Sequence, residues 1–579
     1  MSNIIDIQQF LVGKTFHIPA YQRDYAWTTA QVEDLFEDVQ EALETGSGHY
    51  LGTLVLASRG GRNHEVVDGQ QRLTTLTLVI QALLEQLEPN DPDRIADFAI
   101  LVGHGSSLKL DFGNNLAFVI PLLSGADPVP SSAGQRKLKT NYSYACDRAK
   151  AIKEIGGDGL IKEWLACIKT LEVIQFVAAD TGRAIRMFQT VNDRGLPLTA
   201  MDKAKALLVF YSNRYLGGVL DEHINICFGR CFSDYDSLRE FVQKPGFRIT
   251  NVARDTFTED DLLRYHYLSY SHPDAVNAAD YDGSLKLVFD GFLKATLKKL
   301  ASTPDRLQSF IQDYVDDLSG FSCAFKNLLI STQDNERLYK LFVVLGLAAR
   351  LYPLVIRLHQ RELLFNEVSD TQTDLLQCIE VCDVRVYKTR GTDPAKGIGD
   401  LSHVSRTVDA DFISSALKSF TLRFMPDGDF HTHLSQLMDG NGAVPLILLV
   451  HDEIIAGASY PLGKLVDLVN GQITREHIIA QIPNFSVTSH GFVDDLDFEG
   501  HLHQIGNLTL LQKSENSRCN NLAVHTKMTD TALYSDSAFA EPRQLAHQYA
   551  TTGGAFNKAE LSERTGTLAK WIINRWAIW

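Results

Sequence analysis

The spacing of hydrophobic and polar positions in the first 205 residues predicts alternating helices and short strands. Val32, Leu35 and Val39 recur at the interval of an amphipathic helix. Short apolar runs on either side of Gly60-Gly61 indicate strands joined by a turn. The predicted elements are a short helix at Ile4–Leu11, an extended segment at Phe16–Pro19, a helix at Thr29–Leu43 capped by Thr28 or Thr29, strands at Tyr50–Ala57 and Glu65–Val67, a helix at Gln71–Leu87, a strand at Leu171–Ala178 and a helix at Ala184–Val191.

The pattern changes after residue 205. Long amphipathic segments such as Leu285–Leu300 and Arg337–His359 lie within residues 206–425 and predict a helical bundle or spacer. Residues 426–579 form a third block, which contains the polar motif described below. The sequence therefore predicts an α+β, mostly helical protein with domains at residues 1–205, 206–425 and 426–579.

Composition limits the classes of function. The formal net charge of −16 argues against a protein that coats nucleic acid without specificity, although residues 501–579 carry eight Lys or Arg against six Asp or Glu. We find no signal peptide and no apolar run of membrane-spanning length, which predicts a cytoplasmic protein without membrane contact. The pairs Cys227/Cys231 and Cys378/Cys382 have no His partners at zinc spacing, so free thiols are expected.

The most informative chemistry lies between residues 476 and 516. Glu476 and His477 are adjacent, and Asn507 and Asn516 follow in that order. An imidazole can take a proton from water near pH 7, so His477 is the candidate general base. Carboxylate and amide oxygens suit Mg²⁺ or Mn²⁺, which makes Glu476 and Asn516 candidate metal ligands. Asn507 is the candidate to orient the imidazole through a hydrogen bond.

Each of these residues also has a purely structural explanation. A single His in an Ile-rich strand is usually a core residue, and asparagines such as those at 516–521 are typical of turns. The ordered set favours function over these explanations. Lys513, Arg518 and Lys527 follow the second strand motif and are candidates to steer a DNA backbone.

A second set of polar residues lies in the first block, where Asp68-Gly69-Gln70-Gln71-Arg72 joins a predicted strand to a predicted helix. Free N–H groups at a helix start attract anions, and Gly69 lets the backbone approach a ligand closely. Arg72 can bind a phosphate through two hydrogen bonds, and Asp68 could hold a metal or polarise water. The same residues are also compatible with a plain N-cap turn.

Two further motifs each allow two interpretations. Tyr21, Gln22 and Arg23 could contact phosphate or stack on a base, or the aromatic residues could be core and Arg23 paired with a carboxylate. Asn192 and Arg194 lie in a polar loop that fits either a glycine turn or a second part of a phosphate site.

Both ends of the chain resemble GmrSD-type, modification-dependent (type IV) restriction endonucleases. The N-terminal likeness is carried by Ile18–Trp27, Tyr50–Leu56, the motif at 68–72 and Phe188–Leu198. The C-terminal likeness is carried by the acid-His pair and by Gly-Asn-Leu-Thr-Leu-Leu at 506–511. This resemblance implies an N-terminal ParB-like (sulfiredoxin-like) α/β domain and a C-terminal ββα-metal, or HNH, nuclease domain.

The resemblance also implies roles for individual residues. It assigns residues 68–72, with Asn192 and Arg194, to binding and hydrolysis of an NTP, either GTP or ATP. It assigns Tyr21, Gln22 and Arg23 to the detection of DNA modification. Two positions depart from the family pattern: Ala480 stands where Pro is common, and the acid before the His is Glu where several HNH branches have Asp.

These features together predict a Mg²⁺- or Mn²⁺-dependent endonuclease that nicks DNA in an anti-phage restriction system. Its expected partners are DNA and an NTP that gates cutting, and a homodimer is compatible with this function. The main alternative is a nucleotide-switched DNA-binding sensor with a degenerate HNH core. A metabolic NTPase would explain the first block and leave the third without a role.

Overall fold

The computed structural model describes residues 3–19, 22, 24–46, 49–104, 107–179, 199–271, 283–369, 371–392, 401, 409–436, 438–482 and 485–579. The chain is mostly helical with a small mixed sheet, which confirms the predicted fold class. It divides into two compact units, Met1–Ser237 with Phe289–Ser319 (unit 1) and Leu238–Val288 with Gly320–Trp579 (unit 2). The three-domain division at residues 205 and 425 stays a prediction. Within the described ranges, no helix is both long enough and apolar enough to cross a membrane.

The strands of the described residues are short. They are β1 Asn3–Asp6, β2 Thr15–His17, β3 Tyr50–Ser58, β4 Asn63–Asp68, β5 Gly103–His104, β6 Ser107–Leu108, β7 Leu110–Asp111, β8 Glu172–Ala178, β9 Ile473–His477 and β10 Leu508–Gln512.

Helices fill most of the remaining described chain. They are α1 Ile7–Leu11, α2 Thr29–Thr45, α3 Gln70–Leu84, α4 Pro92–Asp97, α5 Leu116–Leu123, α6 Ala133–Thr170, α7 Ala200–Leu216, α8 Asp221–Phe241, α9 Thr250–Ala253, α10 Glu259–Ser269, α11 Ser284–Lys286, α12 Lys294–Leu300, α13 Pro304–Ile330, α14 Glu336–Tyr339, α15 Tyr352–Gln360, α16 Leu375–Cys382, α17 Ala410–Phe424, α18 Asp427–Leu434, α19 Val444–Ala456, α20 Leu462–Asn470, α21 Asp495–Leu502, α22 Lys513–Cys519, α23 Val524–Thr529, α24 Ala540–Thr552 and α25 Lys558–Arg575. Wider π-helical turns lie at Phe98–Val102, Leu287–Leu293, Lys340–Val344 and Asp383–Thr389.

Unit 1 is built on a six-stranded mixed sheet in the order β1-β8-β3-β4-β2-β7. Its central strands β3 and β4 are antiparallel, and β3 is parallel to β8. Helices α2, α3 and α6 pack together in the same unit, and their apolar residues share one hydrophobic core with the sheet. Because α3 follows β4 after a single residue, the sheet fixes where this helix begins.

Several predicted elements of unit 1 are confirmed. Helix α2 has Thr28 as its N-cap, and its Val32, Leu35 and Val39 are buried. The Thr28 N–H donates to the side-chain oxygen of Gln31 at 2.8 Å, which satisfies one of the free N–H groups at the helix start. Strands β3, β4 and β8 lie where apolar runs predicted them.

Two predicted helices differ in the structure. The segment predicted at Ile4–Leu11 is a strand up to Asp6, because the Asp6 carboxylate accepts the Gln9 N–H at 2.6 Å and so starts the helix at Ile7. The segment predicted at Arg337–His359 is interrupted. Gly346 has a positive φ of 69°, and α15 begins afresh with Pro353 in its first turn. The helix predicted at Ala184–Val191 lies outside the described residues.

Unit 2 contains a two-stranded antiparallel ribbon of β9 and β10, which is followed at once by α22. His477 ends β9 and pairs with Leu508 at the start of β10. The chain order of strand, strand and helix is the one expected from the sequence, with Asn507 directly before β10 and Asn516 on α22. The hydrophobic core beside this ribbon includes Ile478, Leu511 and Cys519.

Candidate active site

His477 is held at the end of β9 by two side chains. Its Nε2 lies 2.9 Å from Nδ1 of His503, and its Nδ1 lies 2.8 Å from the amide nitrogen of Gln481. The ring is 6% exposed. Burial lowers the pKa of His477 to about 4, with an opposing effect from Asp439 and a further decrease from His503. His477 is therefore neutral at pH 7, which is the form that accepts a proton or binds a metal.

Asp439 supplies the carboxylate beside the two histidines. Its Oδ2 lies 3.5 Å from Nδ1 of His503, and its Oδ1 lies 3.5 Å from Nε of Arg475. One ligand atom each from Asp439, His477 and His503 lies within 4.8 Å of the others. Two imidazoles and a carboxylate are a donor set that binds divalent metal ions, so these three residues can hold one.

Glu476 does not share this site, which differs from its expected role as a metal ligand. Successive side chains of a strand point to opposite faces, so Glu476 faces away from His477. Its carboxylate is buried against the Lys527 ammonium at 2.6 Å and accepts a hydrogen bond from Tyr534 at 3.4 Å. Burial raises the pKa of Glu476, and the charge of Lys527 opposes that change. Lys527 already supplies the cation that this carboxylate needs.

Lys527 likewise differs from its expected role in steering DNA. Its side chain is fully buried, and besides Glu476 it donates to the main-chain oxygen of His477 at 2.7 Å. A buried ammonium cannot reach a phosphate in solvent. Lys513 and Arg518 on α22 are exposed, so both remain available for the backbone of DNA.

Asn507 is fully buried and acts on the main chain rather than on the imidazole. Its oxygen accepts the Ile479 N–H at 2.8 Å, and its amide donates to the carbonyl oxygens of Ile479 and Leu502 at 3.1 and 2.8 Å. The direct hydrogen bond to His477 predicted from the sequence is not among these contacts. Asn507 instead fixes the segment after His477 to the end of α21, close to His503.

Asn516 joins α22 to β9. Its amide nitrogen donates to the Thr474 hydroxyl at 2.9 Å and to the Arg475 carbonyl at 3.0 Å. Thr474 and Glu476 share one strand face by alternation, whereas His477 lies on the other. The structure therefore places Asn516 with Thr474 and does not bring it into the cluster of Asp439, His477 and His503.

In unit 1 the motif at 68–72 lies at the end of β4 and the start of α3, as the sequence predicts. Gly69 has φ of 88° and is the N-cap, so no side chain caps the first turn of α3. Burial raises the pKa of Asp68, with opposing effects from the Gly69 N–H and Arg72 and a further increase from Asp202. Asp68 therefore interacts electrostatically with both Arg72 and Asp202.

Three of the N-terminal motifs, Ile18–Trp27, Tyr50–Leu56 and residues 68–72, meet around this turn. Arg72 donates to the Thr53 carbonyl at 3.0 Å and lies over Gly52, where a Cβ would come within 2.8 Å of the Arg72 guanidinium carbon. The Gln22 amide donates to the Val67 carbonyl at 3.1 Å. Gln71 accepts the Ala26 N–H at 2.8 Å, so it binds main chain next to the first motif.

Four predicted site residues lie outside the described residues: Tyr21, Arg23, Asn192 and Arg194. Their roles in phosphate binding and DNA sensing stay predictions. Asp202 follows Asn192 and Arg194 in the sequence and lies in the first turn of α7. Its carboxylate accepts a hydrogen bond from the Thr199 hydroxyl at 2.8 Å.

Sequence reasoning missed Asp439, His503, Gln481 and Arg475. Asp439 lies in an Asp-Gly-Asn-Gly segment that reads as an ordinary turn, and no sequence signal connects it to a histidine 38 positions later. Two signals were present in the sequence. The first signal is that His503 comes shortly before Asn507. The second is that Arg475 stands two positions before His477, so Arg475 and His477 lie on the same face of the strand.

The paired histidines and the aspartate beside a ββα unit define a candidate metal-dependent hydrolase. Residues 6–209 match the family model of the GmrSD restriction endonuclease N-terminal domain, and residues 458–571 match that of the GmrSD restriction endonuclease C-terminal domain. The chain belongs to the GmrSD family of restriction endonucleases, so its substrate is DNA. A search of curated proteins finds no match to this chain.

Proposed function

We propose that the protein is a Mg²⁺- or Mn²⁺-dependent endonuclease that nicks DNA in a modification-sensing, anti-phage restriction system. NTP binding and hydrolysis in unit 1 gate the nuclease in unit 2. The observation that supports the nuclease most directly is the convergence of Asp439, His477 and His503 in the unit that carries the GmrSD C-terminal domain.

Asp439 and His503 are the proposed holders of the divalent ion. They lie at the surface of the cluster, with side-chain exposures of 30% and 32%, whereas His477 lies beneath them. When bound, the ion would polarise the phosphodiester and stabilise the leaving oxygen. This assignment replaces Glu476, whose carboxylate is committed to Lys527.

His477 is the proposed general base. Its Nε2 points into the cluster and takes the proton of the attacking water when the ring proton is on Nδ1, a tautomer that requires the Gln481 side chain to present its amide oxygen to Nδ1. Gln481 fixes the ring through Nδ1, and Asn507 fixes the main chain that follows His477. Because these contacts fix the orientation of the imidazole before DNA binds, little conformational freedom of the base is lost on binding.

Arg475 and the exposed residues of α22 are proposed to bind the DNA backbone. Arg475 lies on the same face of β9 as His477 and balances the Asp439 carboxylate. Lys513 and Arg518 add positive charge on the helix that follows β10. These contacts would be independent of base sequence, which suits an enzyme that selects its substrate by modification.

Unit 1 is the proposed nucleotide switch. The uncapped first turn of α3, Arg72 and the paired carboxylates Asp68 and Asp202 form a phosphate site with a position for a cation. Gln22 contacts the strand that carries Asp68, so this one residue of the proposed DNA-sensing set lies next to the proposed nucleotide site. NTP turnover could then report DNA modification to the nuclease.

The test is a plasmid-nicking assay on modified and unmodified DNA, with and without NTP, for wild type, His477→Ala, Asp68→Ala and Arg72→Ala. We expect His477→Ala to abolish nicking and to retain NTP turnover. Asp68→Ala and Arg72→Ala should lose turnover and with it the NTP dependence of nicking. Turnover that persists in both unit 1 variants contradicts the switch. Absence of nicking by wild type under every condition favours a DNA-binding sensor.

A further inference from the structure

A second cluster of metal-binding side chains lies in unit 1 and shares no residue with the sites assigned above. His223 and Cys227 stand four residues apart on α8, so both side chains lie on one face of that helix. Asp316 on α13 meets them from the other side. The sequence predicts a free thiol at Cys227, whereas in the structure His223, four residues earlier in the chain, lies beside its sulfur.

The distances between the three ligand atoms are close to those of a metal site. His223 Nε2 lies 2.8 Å from Asp316 Oδ1, Cys227 Sγ lies 3.8 Å from His223 Nε2, and Cys227 Sγ lies 3.7 Å from Asp316 Oδ1. A tetrahedral Zn²⁺ with ordinary bond lengths separates its nitrogen and oxygen ligands by about 3.3 Å and its sulfur from either by about 3.5 Å. The present distances reach that arrangement with shifts of about half an ångström.

The same geometry argues against a nucleophilic triad. In such a triad the nucleophile and the carboxylate use different nitrogens of the histidine ring. Here both Cys227 and Asp316 approach Nε2 of His223. Three donors that converge on one point are suited to a shared cation, and a thiol, an imidazole and a carboxylate together suit Zn²⁺ rather than Mg²⁺.

We propose that His223, Cys227 and Asp316 bind one Zn²⁺ or a similar borderline-soft divalent ion, with solvent as the fourth ligand. The ion would link α8 to the 304–319 part of α13, and so join the two sequence segments that make up unit 1. Cys227 is buried, whereas the side chains of His223 and Asp316 are 37% and 50% exposed, which leaves a path for the ion to enter. This site is separate from the proposed nuclease centre, and neither proposal rests on the other.

The test is titration of the full-length, metal-free protein with CoCl₂ while the near-ultraviolet thiolate-to-cobalt charge-transfer absorption is recorded. Only a cysteine ligand gives this band, so Co²⁺ bound at Asp439, His477 and His503 does not contribute. The matched control is Cys231→Ser, because Cys231 lies on the same helix, is also buried and is outside the cluster.

We expect the band in wild type and in Cys231→Ser, its loss in Cys227→Ser, and its displacement by ZnCl₂. His223→Ala and Asp316→Asn change exposed side chains, so they should fold and weaken Co²⁺ binding at least about tenfold. Zn²⁺ should also raise the unfolding temperature of wild type more than that of either variant. A wild-type protein without the band, or a Cys227→Ser protein that keeps it, overturns the proposal.

Discussion

Glu476 and His477 are neighbours in the chain but lie in opposite environments. The Glu476 carboxylate is neutralised inside the protein by Lys527, whereas His477 faces a histidine and an aspartate that solvent can reach. Adjacent positions in a strand cannot share one face, so a metal ligand for the His477 side has to come from elsewhere in the fold. Asp439 is the carboxylate that we propose for this role.

The first prediction concerns His503. His503→Ala should reduce nicking about 10²-fold or more, because it removes a proposed metal ligand that also contacts the base. The matched control is His501→Ala, whose ring instead contacts Asp497 at 2.7 and 3.4 Å. Initial rates on supercoiled plasmid give the comparison. Equal loss in both variants would show that the segment matters only for folding.

The second prediction separates two lysines that the sequence treats alike. Lys527→Met leaves the Glu476 carboxylate buried without its cation, so it should destabilise unit 2 by about 3–5 kcal/mol. Lys513→Met changes an exposed side chain and should alter stability by less than about 0.5 kcal/mol. Urea unfolding measures the first effect.

DNA affinity should show the reverse order. Lys513→Met should weaken binding and reduce its salt dependence, because a phosphate contact is lost. Lys527→Met, measured at a temperature where it is folded, should keep the wild-type salt dependence. A reduced salt dependence in Lys527→Met would mean that its ammonium reaches DNA.

At the scale of elements, a buried carboxylate joins the ribbon to three helices. Glu541 on α24 accepts from Thr509 on β10 at 2.8 Å, from His451 on α19 at 3.0 Å and from Arg564 on α25 at 2.5 Å. Burial by itself raises the pKa of Glu541, but the effects of Arg564 and His451 are in the opposite direction and outweigh it. The resulting pKa is about 2. The ionised carboxylate is therefore part of what holds these elements together.

The third prediction follows from that pKa. A folded-state pKa of about 2 lies below the usual value of 4.5, so ionised Glu541 stabilises the fold above pH 4.5. This contribution, about 3 kcal/mol, should be lost as the pH falls from 4.5 towards 2. Glu541→Gln should be less stable than wild type at pH 7, and the difference should shrink over that interval. A constant difference across it would contradict the assignment.

The fourth prediction concerns the contact between β3 and α3. Gly52 and Gly60 both have positive φ, at 109° and 95°, but only a Cβ at Gly52 would meet Arg72. Gly52→Ala and Gly60→Ala should share a backbone strain of about 1–2 kcal/mol. Gly52→Ala alone should displace Arg72 and lower NTP turnover at least tenfold. Equal turnover in the two variants would remove Arg72 from the proposed site.

Local signals in the sequence are sufficient to predict most of the helices and strands of unit 1. The N-cap at Thr28 and the strand, turn and helix around Gly69 depend on residues close in the chain, and the structure confirms them. The interruption at Gly346 was missed because the apolar spacing of Arg337–His359 continues through it. A positive φ at one glycine ends a helix that hydrophobic periodicity alone would extend.

At the scale of the whole molecule, the candidate site depends on contacts between residues far apart in sequence. Asp439 and His503 approach His477 only because the chain between them folds as helices and a ribbon. The sequence of a turn does not indicate which distant residue its side chains will contact in the folded protein. The family motifs identify the two ends of the chain, whereas the proposed metal ligands of the site become visible only in three dimensions.

The most direct test of this account is the metal dependence of plasmid nicking by wild type and Asp439→Ala. Initial rates are measured over a range of MnCl₂ and MgCl₂ concentrations, with EDTA as the blank. The account predicts metal-dependent nicking by wild type. It also predicts that Asp439→Ala needs at least tenfold more metal for half-maximal rate. If Asp439→Ala nicks DNA with the wild-type metal dependence, the carboxylate is not a ligand and the proposed centre is wrong.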